Sequence, residues 1–183
     1  EPYEGEQRIE FVADDLPPYG YRTYFVQASE RVSLAVSSED LQIENERLAL
    51  FVDPETGAIQ SVLDKTTGDE IAGGLLNEIL LLGENEAENQ GGSELWTRGG
   101  PIETAQPSQI TSSHTAFRER ITVTRPLGGG TLEQQYTLYA GVPWIDCETT
   151  LDGVSLAGRA AFASFQIPHE GTSLLVGERF GSM

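Results

Sequence analysis

Two stretches of this chain, Asp53-Pro54-Glu55-Thr56-Gly57 and Asp64-Lys65-Thr66-Thr67-Gly68, carry the same turn chemistry with only residues 58–63 between them. An aspartate opens each turn and a glycine closes it by accepting left-handed backbone, while Pro54 presets φ in the first. Residues 48–52 (Leu48, Ala49, Leu50, Phe51, Val52) lead into the first turn, and residues 58–63 return from it. Punctuation this close leaves no room for a helix of ordinary length and prescribes a β-meander. Residues 32–36 and 41–45 extend the same pattern upstream, with Asn45-Glu46-Arg47 as a tight connection.

The remainder of the chain reads alike. Residues 75–82 are apolar on both parities apart from Asn77 and Glu78, the pattern of a strand covered on both faces. Residues 84–98 are acidic and rich in Gly and Asn, which predicts a long loop ending near Leu95-Trp96. A further block starts at Ile102. It holds strand candidates at 119–124 and 132–139 around a turn at 126–130, then at 144–151, 160–167 and 173–176. Upstream, residues 8–12 and 21–26 are extended candidates separated by Pro17-Pro18-Tyr19-Gly20, with a linker expected at 27–31. The fold class is all-β, a sandwich of short strands.

Charge narrows the function. Among 183 residues, 29 acids face 11 bases, a net charge of −18, and Lys65 is the only lysine. No basic stripe exists to displace counterions from a phosphate backbone, so nucleic-acid binding is excluded. The longest apolar run, residues 48–52, is too short to cross a membrane. Cys147 is the single cysteine and excludes an internal disulfide; with only His114 and His169 beside it, no metal site is expected in this chain. No charged-then-apolar start reads as a secretory signal, so the expected compartment is the cytoplasm. An acidic, lysine-poor surface is suited to high salt, which screens its self-repulsion, and predicts a halophilic source.

Leu16-Pro17-Pro18-Tyr19-Gly20-Tyr21-Arg22-Thr23-Tyr24, residues 41–68, Asn77-Glu78, residues 136–143 and residues 176–181 follow one another in an order that resembles the C-terminal region of glycoside hydrolase family 38 α-mannosidases. The resemblance implies a β-supersandwich similar to the galactose mutarotase-like fold, incomplete at its C-terminal end. It implies that residues 1–28 are the end of a preceding small β domain or linker and residues 29–183 the first part of the sandwich. The implied partner is an N-terminal catalytic domain of the same parent protein. That domain would hold a divalent metal, zinc, through His and Asp, and an Asp nucleophile, and would cleave α-mannosides with retention. Retention requires two carboxyl groups about 5–5.5 Å apart across the scissile bond. No motif of that domain occurs in this sequence, so no catalytic residue is assigned and no cofactor is expected in this chain.

Within the chain, Asn77, Trp96 and Arg98 are the candidates for contact with a carbohydrate substrate. An aromatic face suits the C–H side of a sugar ring, and amide and guanidinium groups suit its hydroxyls. His114, His169 and the acidic residues 84–88 read as solvated side chains. Cys147 and Trp144 fall within a strand pattern and read as core. The leading function is a non-catalytic sandwich that supports a mannosidase catalytic domain and its binding rim. The alternatives are an autonomous carbohydrate-binding module and, from fold kinship alone, a mutarotase-type epimerase. The chain either closes its sandwich alone or completes open strand edges by exchange in a homo-oligomer.

Overall fold

The computed structural model describes residues 11, 13, 15–25, 36–86, 96–103, 107–168, 177–178 and 181–182. These contain thirteen strands: β1 (Val36–Ser38), β2 (Gln42–Glu44), β3 (Leu48–Val52), β4 (Ile59–Asp64), β5 (Leu76–Glu86), β6 (Trp96–Glu103), β7 (Gln109–His114), β8 (Arg118–Leu127), β9 (Gly130–Tyr139), β10 (Asp146–Asp152), β11 (Arg159–Phe165), β12 (Gly177–Glu178) and β13 (Gly181–Ser182). The first antiparallel sheet runs β1-β7-β8-β9-β10. The second runs β11-β5-β4-β3-β2, with β6 pairing β5 beyond the reach of β4, and β12-β13 form a small ribbon. Among the described residues no helix is long and apolar enough to cross a membrane.

Alternation sets which face each strand buries. In β3, Leu48, Leu50 and Val52 point inward; in β8, Ile121, Val123 and Leu127; in β9, Leu132, Tyr136 and Leu138. Those rows meet Ile43, Ile59, Val62 and Leu76 of the second sheet in the main core. A smaller cluster joins Ile79 and Leu81 of β5 to Leu127 and Leu132. Each such aliphatic side chain withdrawn from water contributes about 1.5–3 kcal/mol, the term that offsets the entropy of ordering so many short strands.

The expected meander is present: β2, β3 and β4 pair in sequence, and the two Asp…Gly turns join or follow them. Asp53 caps the first through its carboxylate, which accepts from Thr56 N–H at 2.9 Å. Gly57 closes it at φ 73°, and an added Cβ there would stand 2.5 Å from Val123 Cγ1. Only glycine serves, because the turn is both left-handed and pressed against the opposite sheet.

Several expectations are corrected. The long loop at 84–98 is shortened from both ends, because β5 runs to Glu86 and β6 begins at Trp96. The polar stretch 109–114, to which the sequence assigns no strand, is β7, a ladder partner of β8. Trp144 lies outside β10 and is 57% exposed, and Cys147 is exposed rather than core. The strand expected at 173–176, the linker at 27–31 and His169 lie outside the described residues.

The two long sides of the sandwich differ. Cys147, Thr149 and Leu151 of β10 pair with Tyr136, Gln134 and Leu132 and so continue the inward-facing row of the first sheet. Yet every residue of β10 is exposed, whereas Tyr136, Gln134 and Leu132, the β9 partners of that row, are wholly buried. Most of β11, on the second sheet, is exposed as well. The core ends at β9 and β5, and β10 and β11 overhang it.

Candidate functional site

At one end of the sandwich, the β2–β3 turn closes over the β7–β8 turn and the end of β9. Asn45 shapes that meeting. Its Oδ1 accepts from Arg47 N–H (2.8 Å) and Leu48 N–H (2.7 Å), which fixes the tight connection. Its Nδ2 donates to the carbonyls of Tyr139 (2.7 Å) and Val142 (2.9 Å) of the opposite sheet. All four hydrogen bonds available to the amide are made. On either side of it, Glu44 N–H donates to Glu119 Oε2 at 2.7 Å and Glu46 Oε2 accepts from Gly141 N–H at 2.7 Å. Three consecutive residues therefore latch one sheet to the other.

The latch borders an open cleft of about 130 Å³, lined by Glu44, Glu46, Glu119 and Arg118 with the apolar Phe117 and Leu138. The carboxylates are held in place by other groups. Glu119 Oε1 stands 3.3 Å from His114 Nδ1, and Glu44 Oε2 stands 3.3 Å from Lys65 Nζ. The Gly141 N–H holds Glu46 ionised by lowering its pKa. These groups are tied to the β2–β3 and β7–β8 turns, and their committed oxygens make them holders of structure before they are acids or bases.

The second polar assembly is interior. Tyr136 Oη donates to the Gly57 carbonyl at 2.9 Å and accepts from Gln134 Nε2 at 2.9 Å, and Gln134 Nε2 also donates to the Asn77 carbonyl at 2.8 Å. Arg125, 4% exposed, donates through Nη2 to the Ile79 carbonyl at 2.7 Å, and burial draws its pKa down. Burial likewise pushes the Tyr136 phenol well above its ordinary value. The network joins β9, β8 and β5 with the turn at Gly57 through the backbone carbonyls of Gly57, Asn77 and Ile79.

The substrate-contact candidates separate. Asn77 is 4% exposed, at φ 55° in a bulge of β5 where Glu78 pairs with Ser164 but Leu76 with Phe165. Asparagine tolerates that left-handed backbone better than the aliphatic residues around it. Trp96 and Arg98 stand on β6, in register with Glu86 and Glu84 of β5. Arg98 is thus seven residues along β5 from Asn77, roughly 23 Å. The three do not form one site. Arg125, Gln134 and the latch residues went unnoticed in the sequence, although Arg125 and Gln134 announce themselves as polar residues on an inward-facing parity. Among the described residues no three of His, Cys, Asp and Glu are grouped to hold a metal ion.

Two antiparallel sheets, latched at one end and joined through a buried tyrosine, define an all-β sandwich protein whose polar groups chiefly hold the sheets together. Residues 43–170, more than two-thirds of the chain, match the glycosyl hydrolases family 38 C-terminal domain, and the chain belongs to that family. No curated protein matches it. The family implies a catalytic partner domain in the same protein.

Proposed function

We propose that this chain is the non-catalytic sandwich portion of an α-mannosidase, where it supports the catalytic domain and contributes to the carbohydrate-binding rim. The match over residues 43–170 carries this reading. The use of Glu44, Glu46 and Glu119 in the inter-sheet latch supports it. Residues 1–28 then form the approach from the preceding domain and residues 29–183 the sandwich. Zinc belongs to the catalytic domain and supplies Lewis-acid chemistry there. Trp96 and Arg98, near the free end of β5, are the rim candidates; Asn77 holds the interior. The lone thiol and acidic surface fit a reducing, salt-rich cytoplasm. Replacing Trp96 or Arg98 by Ala in the full-length enzyme should raise KM for an α-mannoside several-fold with kcat less affected. Unchanged kinetics in both variants would remove the rim role.

Exposure of Trp144 at 57% favours a second reading, a carbohydrate-binding module with Trp144 in its platform. Titration with mannose or mannobiose, followed by tryptophan fluorescence, separates the two. A saturable change lost in Trp144→Ala supports the module, and no change rejects it.

A further inference from the structure

The overhanging strand β10 has a counterpart elsewhere in the chain. A turn at Pro17–Gly20, closed by Gly20 N–H to the Pro17 carbonyl at 3.2 Å, leads into residues 21–25, which take no regular secondary structure and pair with no strand among the described residues. That segment, Tyr21-Arg22-Thr23-Tyr24-Phe25, has high β-propensity, yet Tyr21 is 88% and Phe25 91% exposed. Among the described residues no strand pairs with the outer edge of β10. An edge ladder left open is a template for another strand.

The two segments match in parity and in charge. The inward row of β10 is Cys147, Thr149 and Leu151; its outward row is Asp146, Glu148, Thr150 and Asp152. In residues 21–25 one parity is Tyr21, Thr23 and Phe25, and the other is Arg22 and Tyr24. Pairing β10 with a second β10 would place Asp146 against Asp152, like charges that oppose association. Pairing β10 with residues 21–25 instead sets Tyr21 and Phe25 over the exposed inward row and brings Arg22, the segment's only charge, opposite Thr150 between the carboxylates of Glu148 and Asp152, in exchange for its 3.8 Å contact with Asp15.

We propose that residues 21–25 of a second copy of this chain add antiparallel to the outer edge of β10, with Thr23 opposite Thr149 and Phe25 opposite Cys147, in a reciprocal two-fold dimer. The added strand continues the first sheet and covers the side where the core is open. High salt favours the dimer, because each chain carries a net charge of −18.

The native Cys147 is the reporter. The full chain carrying Phe25→Cys together with Cys147→Ser is mixed in high salt with a differently tagged chain that keeps Cys147, and the mixture is oxidised at pH 9. The dimer predicts a mixed-tag disulfide product, light scattering at twice 19.9 kDa, and dissociation about tenfold easier in Arg22→Glu. Phe25→Cys and Arg22→Glu lie in a segment outside the core, Cys147→Ser replaces an exposed thiol of β10, and circular dichroism checks the fold. A monomer throughout the micromolar range overturns the proposal. So does a dimer that gives no mixed-tag product, which would place the interface elsewhere. A Phe25→Cys chain retaining Cys147 that links only within itself overturns it too, since the segment would then fold back in cis.

Discussion

The hydroxyl of Tyr136, in the middle of one sheet, donates to the carbonyl of Gly57, in the turn of the other, at 2.9 Å. Both groups are buried, and each is the other's route to a satisfied interior. Tyr136→Phe keeps the ring packing but leaves the Gly57 carbonyl without this donor and Gln134 without this acceptor. The expected loss is about 1–3 kcal/mol, the usual penalty for orphaned buried polar groups. Urea unfolding should show a lower midpoint with an unchanged slope.

The same phenol makes the protein sensitive to alkali. Its pKa is raised above the ordinary 10 by burial, so between that value and its folded value the unfolded chain has released a proton that the folded chain retains. Stability is complete below about pH 10 and falls as pH rises further. In a Cys147→Ser background, which removes a thiol whose own pKa is pushed up to about 11, Tyr136→Phe should flatten the alkaline decline. An unchanged decline would assign it to other groups.

Gly57 cannot take a side chain cheaply. Alanine there meets both a φ of 73° and Val123 Cγ1 at 2.5 Å. Backbone strain and overpacking together should cost about 2–4 kcal/mol. Val123→Ala in the Gly57→Ala background should recover the steric part only, so a thermal-melt double-mutant cycle should show coupling between the two sites.

At the acid end, Glu70 is the group to follow. Desolvation raises its pKa, but hydrogen bonds from Ser61, Ala72 and Val62 outweigh that and leave it lowered. Its contribution is present above its ordinary value of 4.5 and is lost as pH falls through the lowered one. Glu46 and Asp64, also lowered by backbone N–H donors, act in the same window. Glu70→Gln should therefore be less stable at neutral pH and less sensitive to acid below pH 4.5. A parallel shift of the whole pH–stability curve would contradict this.

How much of this was legible in the sequence varied with range. β3 and β4 could be read almost residue for residue, because the turns at Asp53 and Asp64 bracket them. The ladder of β8 runs through Pro126, which had suggested an earlier end. The proline lies near the strand's end, next to the Gly128–Gly129 hairpin turn, with both glycines at positive φ. β7 was missed because Gln109, Thr111, Ser112 and Ser113 are polar on both parities, so no alternation marks it. Trp144 and Cys147 show a different limit. Parity tells which face of a sheet a residue occupies, and Cys147 does occupy the inward face. Whether another sheet covers that face depends on distant segments. The latch of Asn45, Glu46 and Glu119 was likewise invisible, being made by residues 75 to 97 positions apart.

The acidic, lysine-poor surface predicts a melting temperature that rises with KCl as screening relieves repulsion within a chain of net charge −18. Stability flat or falling with salt would remove the halophilic reading.

A sandwich that supports a catalytic domain, as proposed, turns over no substrate by itself. The direct measurement is hydrolysis of an aryl α-mannoside by the purified full chain in high salt, with and without added zinc, on chromatographic fractions shown to be folded. The expected result is a folded protein with no turnover above background under either condition. Metal-dependent turnover that follows the protein through the fractions, and survives a change of expression host, would contradict it.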